Sequence, residues 1–213
     1  MKEYSVAMAL ADFIPVILFA AGAVILQRGL YSKMSKGAFA LFAAGTIDVI
    51  FAGALKAGYK LLYALGVCDF EPLNAMFFPV QSIGFLLAGL GVVAMLVHRQ
   101  SSKGALAAVI PPVFKGTFIF VGLMVAGLGM INTGLSIVSA KMKKPLAIVL
   151  FAVSFVCSLG MGYLSTRDFT GSAMNWIAEG VNIAGQGAFL FGAVILKKAG
   201  LESFRLERNQ IND

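Results

Sequence analysis

Apolar residues in this chain come in long unbroken runs, not at alternate positions or on one helical stripe. The runs cover residues 6–26, 38–55, 75–97, 118–138, 145–164 and 176–196. Each approaches the roughly 20 residues that cross a bilayer core as a helix. The breaks between them, among them QRGLYSKMSKG, GVCDFEPLN, HRQSSKG, SAKMKK and STRDFTGS, carry turn residues and charges. None is long enough to form a further domain. The pattern predicts an all-α integral membrane protein with about six transmembrane helices. Residues 104–114, GALAAVIPPVF, are apolar but too short to cross, and Pro111-Pro112 would break a helix there. They read as an interfacial or re-entrant piece, or as an extension of the fourth span. The tail, 199–213, mixes Leu201, Phe204, Leu206 and Ile211 with charges, which predicts a surface amphipathic segment.

The runs also resemble one another. AGAVILQRGL (21–30) overlays AGLGMINTGL (126–135) without a gap, and SKMSK (32–36) overlays AKMKK (140–144). Further on, LFAAG (41–45) overlays LFAVS (150–154), and VQSIGFLLAGLG (80–91) overlays VNIAGQGAFLFG (181–192). The ordered series predicts a duplication, with repeats at 1–103 and 104–198 and the tail at 199–213. Three spans per unit would invert the second copy, which is the plan of many secondary transporters.

Charge placement pulls against six crossings. Arg28, Lys33 and Lys36 flank the first break, Arg99 and Lys103 the third, Lys141, Lys143 and Lys144 the fourth, and Lys197, Lys198, Arg205 and Arg208 the tail. If positive charge marks the cytoplasmic side, the first half places its N-terminus outside and the second half its C-terminus inside. An extra pass within residues 104–138 would satisfy both halves, as seven helices in a three-plus-one-plus-three order with parallel repeats. Six inverted spans are the first expectation and seven the alternative. The seven-span plan resembles that of sugar-type transporters, but their paired Pro-Gln signature is absent because Val80 separates Pro79 from Gln81.

Composition narrows the class. The chain is 59% hydrophobic and 13% charged, with a mean hydropathy of +0.88; soluble domains carry about 25% charged residues. A net charge of +7 reads as topology and attraction to anionic lipid, not as nucleic-acid binding, since no basic stretch is interleaved with aromatics. The lone His98 excludes paired-His haem, HExxH zinc and multi-His lipid-modifying centres. No cofactor or metal is called for. Cys68 and Cys157 read as packing residues. The expected location is the plasma or inner membrane, multi-pass.

Chemistry then rests on the few polar residues within the spans. Asp48 lies at the middle of the second run, where a carboxylate costs at least about 2.5 kcal/mol to insert. It is the first candidate for proton or ion coupling, with Asp12 and Glu179 as further candidates. Asp12 stands three residues before Pro15, which cannot donate to the Ala11 carbonyl, so a broken turn is expected there. Gln81 overlays Asn182 in the repeat, and two amides suit a neutral polar or zwitterionic solute. Ser82, Asn132 and Gln186 could join them, or the amides could simply join helices. Lys56 and Lys60 are expected to snorkel. Phe77-Phe78-Pro79 reads as an interfacial anchor with the proline in the first turn of its helix.

The expected function is a small transporter moving a polar or zwitterionic solute, proton-coupled through the midplane Asp. The partners are membrane lipids and that solute, and a homo-oligomer is compatible. Alternatives are a non-transporting scaffold, sensor or accessory subunit, a channel, or a lipid-acting enzyme, for which nothing positions a nucleophile.

Overall fold

A computed structural model describes residues 5–97, 117–164 and 172–204. Its helices are α1 (Val6–Ala11), α2 (Phe13–Leu30), α3 (Lys36–Ala64), α4 (Glu71–Val97), α5 (Thr117–Lys141), α6 (Pro145–Leu164) and α7 (Ser172–Lys198), with a 3-10 turn at Tyr31–Lys33 after α2. α1, α2 and the turn form one span, and the described residues contain six spans long and apolar enough to cross a membrane. The chain is thus an all-helical protein consistent with multiple membrane passes.

Local chemistry accounts for the ends. α1 stops at Ala11 and α2 starts at Phe13 because Pro15 has no N–H for the Ala11 carbonyl; Asp12 occupies the break. The Ser35 side chain accepts from the Ala38 N–H at 3.2 Å and opens α3. α7 runs into a turn at Gly200, whose φ of +82° suits glycine.

Two helices are longer than the apolar runs predict. α3 continues to Ala64 and α4 begins at Glu71. Pro79 therefore lies inside α4, not in its first turn. α3 extends because Lys56 and Lys60, expected to snorkel, find their surroundings within the bundle, as described below.

Contact order gives the helix directions. Asp12 pairs with Lys60 and the Gln27 amide donates to Thr46 Oγ1 at 2.7 Å, so α2 and α3 are antiparallel. Gly84 meets Gly45 while Gly91 meets Phe42, so α3 and α4 are antiparallel too. α6 and α7 are antiparallel through Gly185 on Cys157 and Gly192 on Phe151. Between α4 and α5 the numbering rises together. Phe78 faces Phe120, Gly89 meets Gly127, and Val92 meets Gly134. The same holds for α2 and α7, where Phe19 stacks on Phe189 and Gly29 meets Leu201.

The helices close a ring in chain order, with α7 against α2. By these contacts α2, α4, α5 and α7 run one way and α3 and α6 the other. Of the stretch 104–138, in which an extra pass was the alternative, residues 117–138 belong to α5; the rest of it, the apolar piece at 104–114 included, and most of the surface tail lie outside the described residues.

The two ends differ. One carries Arg28, Lys33, Lys36, Lys141, Lys143, Lys144, Lys197 and Lys198, the ends of their helices. Beneath this basic end lies the dry core, with Leu26, Leu30, Phe42, Val92, Leu135, Phe151 and Leu196 fully buried. The opposite half is hollow.

Candidate functional site

The hollow is a cavity of about 280 Å³ between α2, α3, α4 and α7, touched by Met161 of α6. At about 30 Å³ per water it has room for roughly nine waters or one small solute. Each helix contributes a stripe at helical spacing. α2 supplies Asp12, Val16 and Phe19; α3 supplies Val49, Gly53, Lys56 and Lys60. α4 adds Asn74, Phe77, Gln81 and Phe85, and α7 adds Asn175, Glu179, Asn182 and Gln186. From Lys60 to Val49 the cavity follows α3 for about 16 Å at 1.5 Å per residue.

Four ionisable groups share the outer part. Lys60 Nζ forms an ion pair with Asp12 Oδ2, and the two side chains are 12% and 7% exposed. The Glu179 carboxyl lies beside that of Asp12, with the Lys56 and Lys60 ammonium groups close by. Glu179 is 7% exposed. Its Oε1 and Asp12 Oδ1 are buried with no hydrogen-bond partner. Lys56 Nζ stands 4.1 Å from the centre of the Phe77 ring, a cation–π arrangement. Fully ionised, the two acids and two lysines sum to zero charge.

The inner part is apolar. Phe19 meets Phe85 edge-on at 5.9 Å and stacks on Phe189 at 5.2 Å. Phe189 in turn meets Phe151 at 6.1 Å. These rings close the cavity toward the basic end.

Of the residues singled out in the sequence, Asp12, Glu179, Gln81, Asn182 and Gln186 come together here. Three do not line the cavity. Asp48 is half-buried on α3, with its Cβ against Gly84. Ser82 donates to its own helix at the Phe78 carbonyl, 2.7 Å away. Asn132 likewise donates to the Leu128 carbonyl at 2.9 Å, and its Oδ1 has no partner. The sequence reading missed Lys56, Lys60, Asn74 and Asn175 as lining residues. A signal existed: Asn175, Glu179, Asn182 and Gln186 follow steps of four, three and four, and Lys56 and Lys60 lie one turn apart.

Comparison of the chain with protein-family models, with curated proteins and with solved structures finds no match.

Proposed function

We propose that this protein is a small membrane transporter made of two parallel, duplicated three-helix units, moving a small polar solute through the cavity at the hollow end. The observation that carries this reading is a solute-sized cavity of about 280 Å³ into which Asp12, Lys56, Lys60 and Glu179 are gathered from three different spans, with the amides of Gln81, Asn182 and Gln186 beyond them. Ionisable groups are costly to hold in an apolar bundle, and a polar ligand in the cavity gives them a use.

Equivalent contacts at overlaid positions support the duplication. Gly84 packs on Gly45 and Asp48, as Gly185 packs on Ser154 and Cys157. Gly91 packs on Phe42, as Gly192 packs on Phe151. Gly89 meets Gly127, and Leu190 meets Gly22. Apart from Asp48 and Cys157, which follow three residues after the aligned Gly45 and Ser154, each pair matches residues that the sequence overlay aligns. Parallel units also put every basic helix end named above on one side, which the positive-inside rule assigns to the cytoplasm. The cavity then faces outward and the phenylalanine floor seals the inner side.

In this mechanism the solute enters from the hollow end, and rocking of one unit against the other moves the seal. Filling the gap beside the Asp12–Glu179 pair with a proton or a cationic group relieves its like-charge repulsion, which ties occupancy to closure. A continuous pore fits the aromatic floor poorly.

In proteoliposomes, saturable uptake of small polar solutes is expected, and Glu179→Gln should lower it by about tenfold or more. Absence of saturable flux would refute the transporter. Loss in Asp48→Asn with full activity in Glu179→Gln would move the coupling site to the other face of α3. Topology is tested separately in a chain lacking Cys68 and Cys157. A membrane-impermeant thiol reagent should label Ser5→Cys from outside and Ser203→Cys only after permeabilisation. Labelling of both from one side would overturn the parallel arrangement.

A further inference from the structure

Asp12 and Glu179 come from spans far apart in the chain, at the break before α2 and in the first half of α7. Their side chains meet inside the bundle, within hydrogen-bonding reach of each other. Asp12 is 8% exposed and Glu179 7%. Asp12 Oδ1 and Glu179 Oε1 are shut off from solvent, and neither has a donor from another described residue. Two ionised carboxylates cannot face each other this way, because each only accepts and like charges repel. A single proton between them satisfies both oxygens and leaves the pair one negative charge.

The surroundings decide which acid carries that proton and exclude other occupants. Lys60 Nζ pairs with Asp12 Oδ2, the oxygen turned away from the contact. Its ammonium holds the negative charge on Asp12, so the proton belongs on Glu179. Lys56, with its ammonium over the Phe77 ring, is the remaining ionisable group lining the cavity among the described residues; α4 contributes amides and aromatics there, and α6 contributes Met161. A hard metal cation takes about six or more oxygen ligands. Here two closed oxygens face each other, and among the described residues no three His, Cys, Asp or Glu side chains could hold a metal ion.

We infer that Asp12 and Glu179 form a proton-binding site, in which the Glu179 carboxylic acid donates to the Asp12 carboxylate and latches α7 to α2 at the hollow end. The proton comes from water in the cavity and returns to it. With it bound, an O–H···O bond closes the contact. Without it, two carboxylates repel and the helices part. Where the transporter reading holds, this makes the proton the coupling ion, since α2 and α7 belong to different three-helix units and rocking must break their contact.

The test is infrared spectroscopy of the purified protein in detergent, in water and in deuterium oxide. At about pH 7 ordinary carboxyls, which titrate near 3.9–4.3, are ionised. The parent should still show the carbonyl stretch of a protonated acid, shifted by deuterium. Glu179→Gln and Asp12→Asn should each abolish that band, and Asp48→Asn should leave it. Carbon-13 at the glutamate carboxyls should move it, and carbon-13 at the aspartates should not; this arm uses the unsubstituted protein, so it stands even if a variant does not fold. No such band, or a band that follows Asp48, would overturn the site. The latch is read by melting temperature against pH. A bond that needs the proton is lost as pH rises, so the parent should fall in stability over the range where the band disappears. Glu179→Gln, whose amide keeps a donor on Asp12, should lack that fall; equal profiles would overturn the latch. Neither measurement needs transport, so a shared proton without saturable flux refutes only the transporter, and flux without the band refutes only this site.

Discussion

Lys60→Met should be among the most damaging single substitutions in the chain, lowering stability by about 3–5 kcal/mol, the usual cost of stranding one partner of a buried ion pair. For a chain of this size that corresponds to a fall in melting temperature on the order of 10 °C. The loss comes from Asp12. With Lys60 gone, its carboxylate stays buried next to Glu179 with its ammonium partner missing. The double substitution Lys60→Met with Asp12→Asn should therefore regain most of the lost stability, because it removes the stranded charge along with its partner. Thermal unfolding of both purified variants checks this. If the single variant melts like the parent, the pair is a solvated surface contact, and the cavity does not hold charge out of water.

The second large effect concerns helix approach. A Cβ at Gly45 would meet the Ala88 nitrogen and the Gly84 carbonyl, and one at Gly127 would meet the Phe85 carbonyl. These are backbone atoms, so no side-chain rotation relieves the clash. Gly45→Ala and Gly127→Ala should each cost about 3 kcal/mol, at the upper end of overpacking penalties. Gly122, with nothing near its missing Cβ, serves as the control. Gly122→Ala should be neutral or slightly stabilising, since alanine gains up to about 1 kcal/mol in a helix. Equal melting temperatures for all three variants would mean that α3 and α4, and α4 and α5, are not in backbone contact.

Much of the site was legible before the structure. Asp12, Glu179, Gln81, Asn182 and Gln186 were recognisable as polar residues within apolar runs, and five residues from three helices share one cavity. Asp48 was the weightiest candidate because it lies nearest the middle of its run, yet it is turned away from the cavity. Depth in a span is visible in sequence, but facing is not. Lys56 and Lys60 were misread for a related reason. A lysine near the end of an apolar run looks like an interfacial residue until an acid on another helix is brought to it. Here that acid is Asp12, in the preceding span.

What the sequence determined by itself is the membrane setting, the spans and the break at Asp12. These follow from run length, missing backbone donors and residue order, all properties of short stretches of chain. The tertiary structure alone decided that α4 and α5 run the same way, that the phenylalanines seal one end, and that two acids and two lysines meet. Helices apolar on nearly every face carry little information about which face turns inward. That choice belongs to packing, where glycines let backbones touch and each buried charge must lie beside its opposite.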